Sequence, residues 1–151
     1  VAQQKIERFS IKPNIRLLCE DAENLSLSSN TFDIITISFG IRNFENIVNG
    51  LSECHRILKE GGSLFIMEFS TPKHKVFNVL YRIYSKHILP LIGQVISNDD
   101  KAYKYLPESI VEFNREHEFT ELLLNNGFDS CISISLSNGI AHIYIGVKSK
   151  M

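Results

Sequence analysis

Residues 32–69 read FDIITISFGIRNFENIVNGLSECHRILKEGGSLFIMEF, and this stretch decides the fold. Its first seven residues, Phe32–Ser38, are β-branched and mostly apolar, which is typical of a central parallel strand covered on both faces. Apolar residues then recur at helical spacing, at Ile47, Leu51, Cys54, Ile57 and Leu58. Gly61-Gly62 ends the predicted helix, and Ser63–Phe69 is a second buried strand. This strand–helix–strand order predicts a right-handed crossover in a parallel sheet.

Further elements are predicted on both sides of this unit. Upstream, Ile15–Cys19 is predicted to be a short buried strand that follows an N-terminal helix. Downstream, Glu118–Asn125 has the spacing of an amphipathic helix. Cys131–Leu136 and Ile140–Lys148 alternate like two strands, and residues 137–139 supply a tight hairpin turn between them. The predicted fold is therefore an α/β mixed sheet in which an antiparallel hairpin follows parallel strands.

Composition limits the class of protein and the compartment. The 151 residues are 44% hydrophobic, which suffices for one core, and we expect residues 1–151 to form a single, partial domain. A net charge of −1 argues against a nucleic-acid partner, because strong nucleic-acid binders carry a basic excess. Three widely spaced cysteines and five histidines without ligand spacing predict free thiols in a reducing, cytoplasmic compartment and no metal site.

Polar residues follow three predicted strands at the point where each strand ends. Residues 20–23 follow the first strand, Ser38–Asn43 the second and Glu68–Ser70 the third. Because ligands bind beyond the carboxyl ends of strands in open α/β sheets, we expect the three loops to face one rim. Taken singly, each loop has another explanation, since acidic residues solvate turns and Ser38 can simply close a strand. Their predicted co-location favours a ligand site.

The motifs along this rim resemble those of one known family. Residues 19–43 read CEDAENLSLSSNTFDIITISFGIRN and residues 55–70 read HRILKEGGSLFIMEFS, followed in order by YKYLPESIVEF, NNGF and NGIAHIYIGVK. These resemble the motifs GDAExLPF, FDxVTxxFGLRN and RVLKPGGxxxxxEFS of the ubiquinone/menaquinone biosynthesis C-methyltransferases. Glu60 and Ser26 stand in turns where the family often has Pro. The resemblance implies a class I methyltransferase with a Rossmann-like mixed sheet and S-adenosylmethionine (SAM) as cofactor.

The resemblance also implies roles for single residues. Asp21 corresponds to the residue that accepts a hydrogen bond from the adenine amino group, and Ala22 brings its backbone amide toward the ring. Ser38 corresponds to a contact near the methionine end of SAM. The implied reaction transfers a methyl group from a sulfonium to a ring carbon of a polyprenylated quinol, either demethylmenaquinol or 2-methoxy-6-polyprenyl-benzoquinol. No residue decides between the two ring types.

Arg42 and Asn43 are the candidate catalytic residues. The nucleophilic carbon is activated by an adjacent phenolate, and a guanidinium is a poor proton acceptor. We therefore expect Arg42 to stabilise the developing phenolate, directly or through water, with Asn43 orienting it. An ordinary salt bridge at the rim is the alternative for Arg42. Glu68 is expected to contact a substrate hydroxyl or to pair with Arg42, and Tyr103 and Tyr105 are candidate pocket walls, or core.

Residues 73–106 form a basic, aromatic segment with six Lys or Arg and five Tyr or Phe. Such a cover suits peripheral contact with an anionic bilayer from which a polyprenylated quinol is extracted. Arg82, Lys86 and Pro90 argue against a helix that crosses the bilayer. The alternative is a solvated helix face over ordinary core.

The family fold has strand order 3-2-1-4-5-7-6, and a glycine-rich loop after strand 1 approaches SAM. No GxGxG occurs in this sequence, so the predicted strands correspond to 3 to 7, with N-terminal strands 1 and 2 missing. We expect Ile15–Cys19, without its usual neighbour, to pair with strand 4, to pair with another chain in a homo-oligomer, or to be poorly held. We also expect the isolated chain to bind SAM weakly or not at all, and to be inactive alone.

Two other functions stay open. A different class I methyltransferase, acting on another small molecule or on RNA, would keep Asp21 and Ala22 but would lack FGIRN and YKYLPESI together. A non-catalytic remnant would serve as a binding or assembly subunit. An in-frame glycine-rich loop in the upstream DNA would favour a truncated enzyme over a remnant.

Overall fold

The computed structural model describes residues 6, 15–72, 78–79, 81, 83, 109–110, 113 and 118–150. The elements whose residues are all described are four strands, two α-helices and two 3-10 turns. The strands are β1 (Phe32–Ser38), β2 (Leu58–Phe69), β3 (Phe128–Leu136) and β4 (Ala141–Lys148). The helices are α1 (Ile47–Ile57) and α2 (Phe119–Asn125), and short 3-10 turns cover Ile41–Asn43 and Ser137–Gly139.

The four strands form one mixed sheet in the order β1-β2-β4-β3. β1 and β2 are parallel, whereas β4 is antiparallel to both β2 and β3. Parallel neighbours need a crossover connection, and α1 supplies it. The predicted mixed α/β sheet, the β1 strand, the α2 helix and the terminal hairpin are confirmed. The observed order matches the 4-5-7-6 part of the order that the resemblance implied.

Polar groups satisfy both ends of α1. Asn46 is the N-cap, and its side-chain oxygen accepts the N–H of Asn49 at 3.2 Å. At the other end, the Lys148 ammonium donates to the carbonyl oxygens of His55 and Leu58 at 2.8 and 2.9 Å. A cation is favourable there because the last carbonyls of a helix lack intrahelical partners and carry the negative end of its dipole. The end of β4 is thereby tied to the end of α1.

The predicted end of α1 at Gly61-Gly62 is wrong. The helix ends at Ile57, and Leu58 is already extended and aligned with Phe32 of β1. The glycines instead lie inside β2, where Gly61 has a φ of +76° and the pairing register shifts. Glycine adopts this left-handed conformation without strain, so the pair accommodates an irregularity in the strand.

One face of the sheet carries the buried core under the two helices. Its members come from each layer: Leu51 and Cys54 from α1, Leu64 and Ile66 from β2, and Phe119 and Leu123 from α2. Side chains alternate along a strand, and the opposite face exposes Ile34 by 61% and Ile132 by 54%. The prediction that β1 is central and covered on both faces is therefore wrong for the described residues, in which β1 is an edge strand.

The predicted strand Ile15–Cys19 is not formed. Residues 15–20 have no regular structure, and Ile15, Leu17 and Leu18 are each close to half exposed. A strand needs a neighbouring backbone to receive its N–H and C=O groups, and within the described ranges β1 pairs only with β2. Pairing with β1 is thus not observed, and the exposure agrees with the expectation that this segment is poorly held.

Other predictions are settled only in part. The three cysteines are free thiols as predicted, and burial raises the pKa of Cys54 to about 11. The N-terminal helix lies outside the described residues except at Ile6, and so does most of the segment 73–106. In the part of the chain that is described, no helix has the length and apolar character needed to cross a membrane.

Candidate functional site

A cleft of about 440 Å³ lies at the carboxyl end of β1. This volume falls within the range of roughly 300–1,000 Å³ found for small-molecule sites. One wall consists of Asp21, Ala22 and Glu23, and the other of Gly40, Asn43, Phe44 and Glu45. The structure therefore brings together two of the loops that were expected to share a rim.

The first wall is a tight turn stabilised by Asp21. Its Oδ1 accepts the N–H of Glu23 at 2.9 Å, and its backbone carbonyl accepts the N–H of Asn24 at 3.1 Å. Asp favours such turns because its short side chain bonds the backbone two residues on. Asp21 is exposed and Ala22 is half-buried, so this wall presents a carboxylate and a small side chain.

The second wall follows β1 through a sharp backbone turn. Phe39 has a φ of +54°, which is uncommon for a residue other than glycine, and its N–H donates to the carbonyl of Met67 at 2.8 Å. The next residues form a 3-10 turn that the fully buried Ile41 anchors in the core. As a result, Asn43 at the end of the turn lies in the cleft wall.

Arg42 lies in the same turn and forms a buried ion pair with Glu68, near the end of β2. Arg42 Nη1 lies 2.7 Å from Glu68 Oε1, and the two side chains are only 10% and 0% exposed. Glu68 also accepts the N–H of Phe69 at 2.9 Å and that of Arg42 at 3.4 Å. Arg42 in turn donates to the carbonyl of Phe39 at 2.7 Å and to Ser109 Oγ at 3.4 Å. The third loop therefore joins the rim through this pair.

A stacked pair of aromatic rings lies beside the Arg42–Glu68 ion pair. Phe39 and Phe69 stack with ring centroids 4.2 Å apart, and the guanidinium carbon of Arg42 lies 5.8 Å from the centroid of Phe69. That distance is within the reach of a cation–π contact. Burial raises the pKa of Tyr144, and the Glu68 carboxylate adds to this shift. Burying a carboxylate in such surroundings costs free energy, which a counter-charge and hydrogen bonds offset.

Five of the predicted site residues thus fall into two groups. Asp21, Ala22 and Asn43 line the cleft. Arg42, which directly precedes Asn43, forms the ion pair with Glu68. The salt bridge that was the alternative role for Arg42 is present. Glu68, which was expected either to contact substrate or to pair with Arg42, makes the second of these contacts.

The remaining predicted site residues are Ser38, Tyr103 and Tyr105. Ser38 is exposed at the end of β1 and lies outside the set that lines the cleft. Tyr103 and Tyr105 lie outside the described residues. Their expected roles therefore stay predictions.

The sequence pattern does not single out three residues of the cleft, namely Glu23, Phe44 and Glu45. Glu23 Oε1 accepts the N–H of Glu45 at 2.7 Å, and Oε2 accepts the N–H of Asn46 at 3.0 Å. The available signal was that Glu23 stands two residues after Asp21 in the same motif. Its bonding partners lie 22 and 23 residues further on, at a separation that no local pattern reveals.

The fold is that of the SAM-dependent methyltransferases. A SAM-dependent methyltransferase from Aquifex aeolicus is similar with a TM-score of 0.64 at 15% identity, over 97% of this chain and 61% of that one. The CurJ carbon methyltransferase gives a TM-score of 0.64 at 14% identity, over 98% of this chain and 39% of that one. At such low identity, these similarities define the fold class.

Sequence comparison narrows the class to one family. The demethylmenaquinone methyltransferase of Porphyromonas gingivalis is 36% identical over 148 residues, which are 98% of this chain and 60% of that protein. The mitochondrial 2-methoxy-6-polyprenyl-1,4-benzoquinol methylase of Bos taurus is 38% identical over 148 residues, 98% of this chain and 45% of that protein. The family pattern matches residues 1–148, and the chain belongs to the ubiE/COQ5 methyltransferase family. It spans about half of the length of these two relatives.

Proposed function

We propose that this chain forms the adenine edge and the substrate side of a SAM-dependent C-methyltransferase that acts on a polyprenylated quinol. Membership of the family and the names of the two relatives support this reaction and this class of substrate. The observation that carries the proposal is the cleft that Asp21 and Ala22 line together with Asn43.

The residues of the cleft suit the adenosine end of SAM. A carboxylate such as that of Asp21 accepts a hydrogen bond from an exocyclic amine, and the small Ala22 lets a flat ring approach the main chain. Phe44 adds an aromatic side chain to the opposite wall. Asp21, Glu23 and Glu45 make the cleft acidic, which favours a cationic ligand. When bound, SAM supplies a methyl group on a positively charged sulfur.

On the substrate side, we assign phenolate stabilisation to Arg42. Deprotonation of the quinol places negative charge on an oxygen beside the reacting carbon, and a nearby guanidinium offsets that charge. Glu68 and the carbonyl of Phe39 both accept from Arg42 Nη1, so the orientation of the guanidinium is fixed before substrate binds. Asn43, the next residue, extends the same turn into the cleft.

The finer parts of the proposal concern assembly. Contact with a membrane surface through residues 73–106 and association into a homo-oligomer stay predictions. The basic and aromatic composition of the segment supports the first of these.

Adenosine should bind this cleft more tightly than inosine, and Asp21 should cause the difference. Inosine carries a carbonyl where adenosine carries the amine, so its oxygen would face the Asp21 carboxylate. Since a hydrogen bond to a charged group contributes about 1.5–3 kcal/mol, we expect adenosine to bind about tenfold more tightly or better. Titration of the ¹⁵N-labelled chain, monitored at the amides of Ala22 and Asn43, measures both affinities even when they are weak.

Two variants complete that experiment. Asp21→Ala should remove the preference for adenosine, whereas Asp33→Ala should keep it, because Asp33 is an exposed acid paired with Lys59 outside the cleft. Equal binding of adenosine and inosine by the unaltered chain would refute the role of Asp21.

Methyl transfer itself should place a label from methyl-labelled SAM on a ring carbon of the reduced quinol. The assay uses the protein translated from the whole reading frame around this chain, with demethylmenaquinol and the benzoquinol compared side by side. The better substrate identifies the ring type. A label on a phenolic oxygen, or transfer to neither quinol, would contradict the proposed reaction.

A further inference from the structure

Glu23 joins the two walls of the cleft through two backbone N–H groups. Its Oε1 accepts from Glu45 at 2.7 Å and its Oε2 from Asn46 at 3.0 Å. Each carboxylate oxygen therefore meets one donor. A glutamine at this position could satisfy only one of them, because its amide NH₂ would face the second N–H.

Helix capping alone does not explain this arrangement. The first N–H groups of a helix lack intrahelical partners, and an anion near them is favourable. The side chain of Asn46 already caps α1 locally by accepting the N–H of Asn49 at 3.2 Å. The two hydrogen bonds from Glu45 and Asn46 to Glu23, here called the tie, add a long-range connection between the two segments that line the cleft.

The tie is connected directly to Asp21. The N–H of Glu23 donates to Asp21 Oδ1 at 2.9 Å, so the carboxylate proposed to meet adenine is bonded to the same residue that spans the cleft. A movement of Glu23 would move Asp21 with it. The spacing between Asp21 on one wall and Phe44 on the other is thus set by the carboxylate of Glu23.

We propose that Glu23 is a positioning residue for adenosine binding, which acts by fixing Asp21 and Ala22 against the wall that holds Phe44. The inference rests on the proposed function, because it concerns the same cleft. Glu23 need not touch the ligand; its two bonds to the far wall preorganise the groups that do.

Glu20 offers a matched control in the same loop. Its carboxylate also accepts two hydrogen bonds, from Ser26 Oγ at 2.6 Å and from the Ser26 N–H at 2.9 Å. Both bonds stay within the loop, and neither reaches the second wall. Glu20→Gln therefore makes the same change of charge and shape as Glu23→Gln while leaving the tie between the walls intact.

The first test compares these two variants by NMR titration with adenosine. We expect Glu23→Gln to weaken adenosine binding about fivefold, and Glu20→Gln to change it less than about twofold. Amide hydrogen exchange at Glu45 and Asn46 should become faster in Glu23→Gln alone, because their acceptor is impaired. Faster exchange at both amides with unchanged adenosine affinity would overturn the role of Glu23 and leave the proposed function intact.

A double variant separates positioning from general loosening of the fold. If Glu23 acts partly through Asp21, then Glu23→Gln should cause a smaller further loss of affinity in a chain that already carries Asp21→Ala. An equal loss in both backgrounds would contradict the positioning role. Failure of the protein translated from the whole reading frame to bind adenosine at the cleft would instead remove the proposed function, so the two failures are distinguishable.

Discussion

Replacing Arg42 with Met should lower the free energy of unfolding by about 3–5 kcal/mol, because Glu68 would keep a buried charge without a partner. The Glu68 side chain is fully buried, and Arg42 supplies the ion pair at 2.7 Å. Met has a similar length to Arg, so the loss reports mainly the charge and not a cavity. The chain has no Trp, so urea denaturation is best followed by far-ultraviolet circular dichroism.

A surface ion pair and a neutral variant serve as controls. Lys59→Met breaks the exposed pair between Lys59 and Asp33, whose side chains are 47% and 79% exposed, and should cost less than about 1 kcal/mol. Adding Glu68→Gln to Arg42→Met should recover part of the stability, because a neutral amide needs no counter-charge and still accepts from Phe69. Equal losses of unfolding free energy for Arg42→Met and Lys59→Met would show that burial does not determine how much the Arg42–Glu68 pair contributes to stability.

Replacing Gly62 with Ala should destabilise the chain by about 1–3 kcal/mol through overpacking. A Cβ at this position would lie 2.8 Å from the carbonyl oxygen of Lys59 and 3.1 Å from that of Asp33. Both are backbone atoms of β2 and β1, so they cannot move aside as a flexible side chain would. The expected result is a lower denaturation midpoint, with the strand irregularity around Gly61 disturbed.

Gly40→Ala is the matched control for this effect. A Cβ on Gly40 would meet its nearest atoms at 3.7 and 3.9 Å, which are ordinary contact distances, and its φ of −122° suits alanine. Because Ala lowers the conformational entropy of the unfolded chain relative to Gly, the variant should be as stable as the unaltered chain or about 0.4–1 kcal/mol more stable. A loss of stability for Gly40→Ala as large as that for Gly62→Ala would argue against the steric explanation.

The parts of the fold that local chemistry determines could be predicted from the sequence. Phe32–Ser38 is observed with the predicted bounds, because a run of β-branched residues has a strong preference for a strand. The terminal hairpin is also confirmed, since Ser137, Asn138 and Gly139 all adopt the positive φ that its turn requires. In both cases the residues that decide the structure lie within the element itself.

The parts that depend on distant partners could not be predicted. Ile15–Cys19 has the composition of a strand, but a strand forms only where another backbone pairs with it. The end of α1 depends on Lys148, some 90 residues further along the chain, and on the pairing of Leu58 with β1. Residue type determines the secondary structure that a segment prefers, whereas the structure that forms at these two places depends on the neighbouring parts of the fold.

The same division holds for the candidate site. The resemblance of motifs pointed to Asp21 and Asn43, which both line one cleft. The pairing of Glu68 with Arg42 was one of two predicted alternatives, and it is observed. The contacts of Glu23 were not predicted, because its partners lie 22 and 23 residues away. Motifs identify the residues that face a ligand more readily than those that hold the walls in place.

The position of β4 has a consequence for synthesis of the protein. β4 follows β2 and β3 in the chain but lies between them in the sheet, and within the described strands β3 pairs only with β4. During translation, β3 therefore emerges from the ribosome before its neighbour exists. Lys148 at the end of β4 also completes the bonding of the carbonyls at the end of α1. This domain cannot finish folding in the order in which it is made, and its sheet closes only when β4 has left the ribosome.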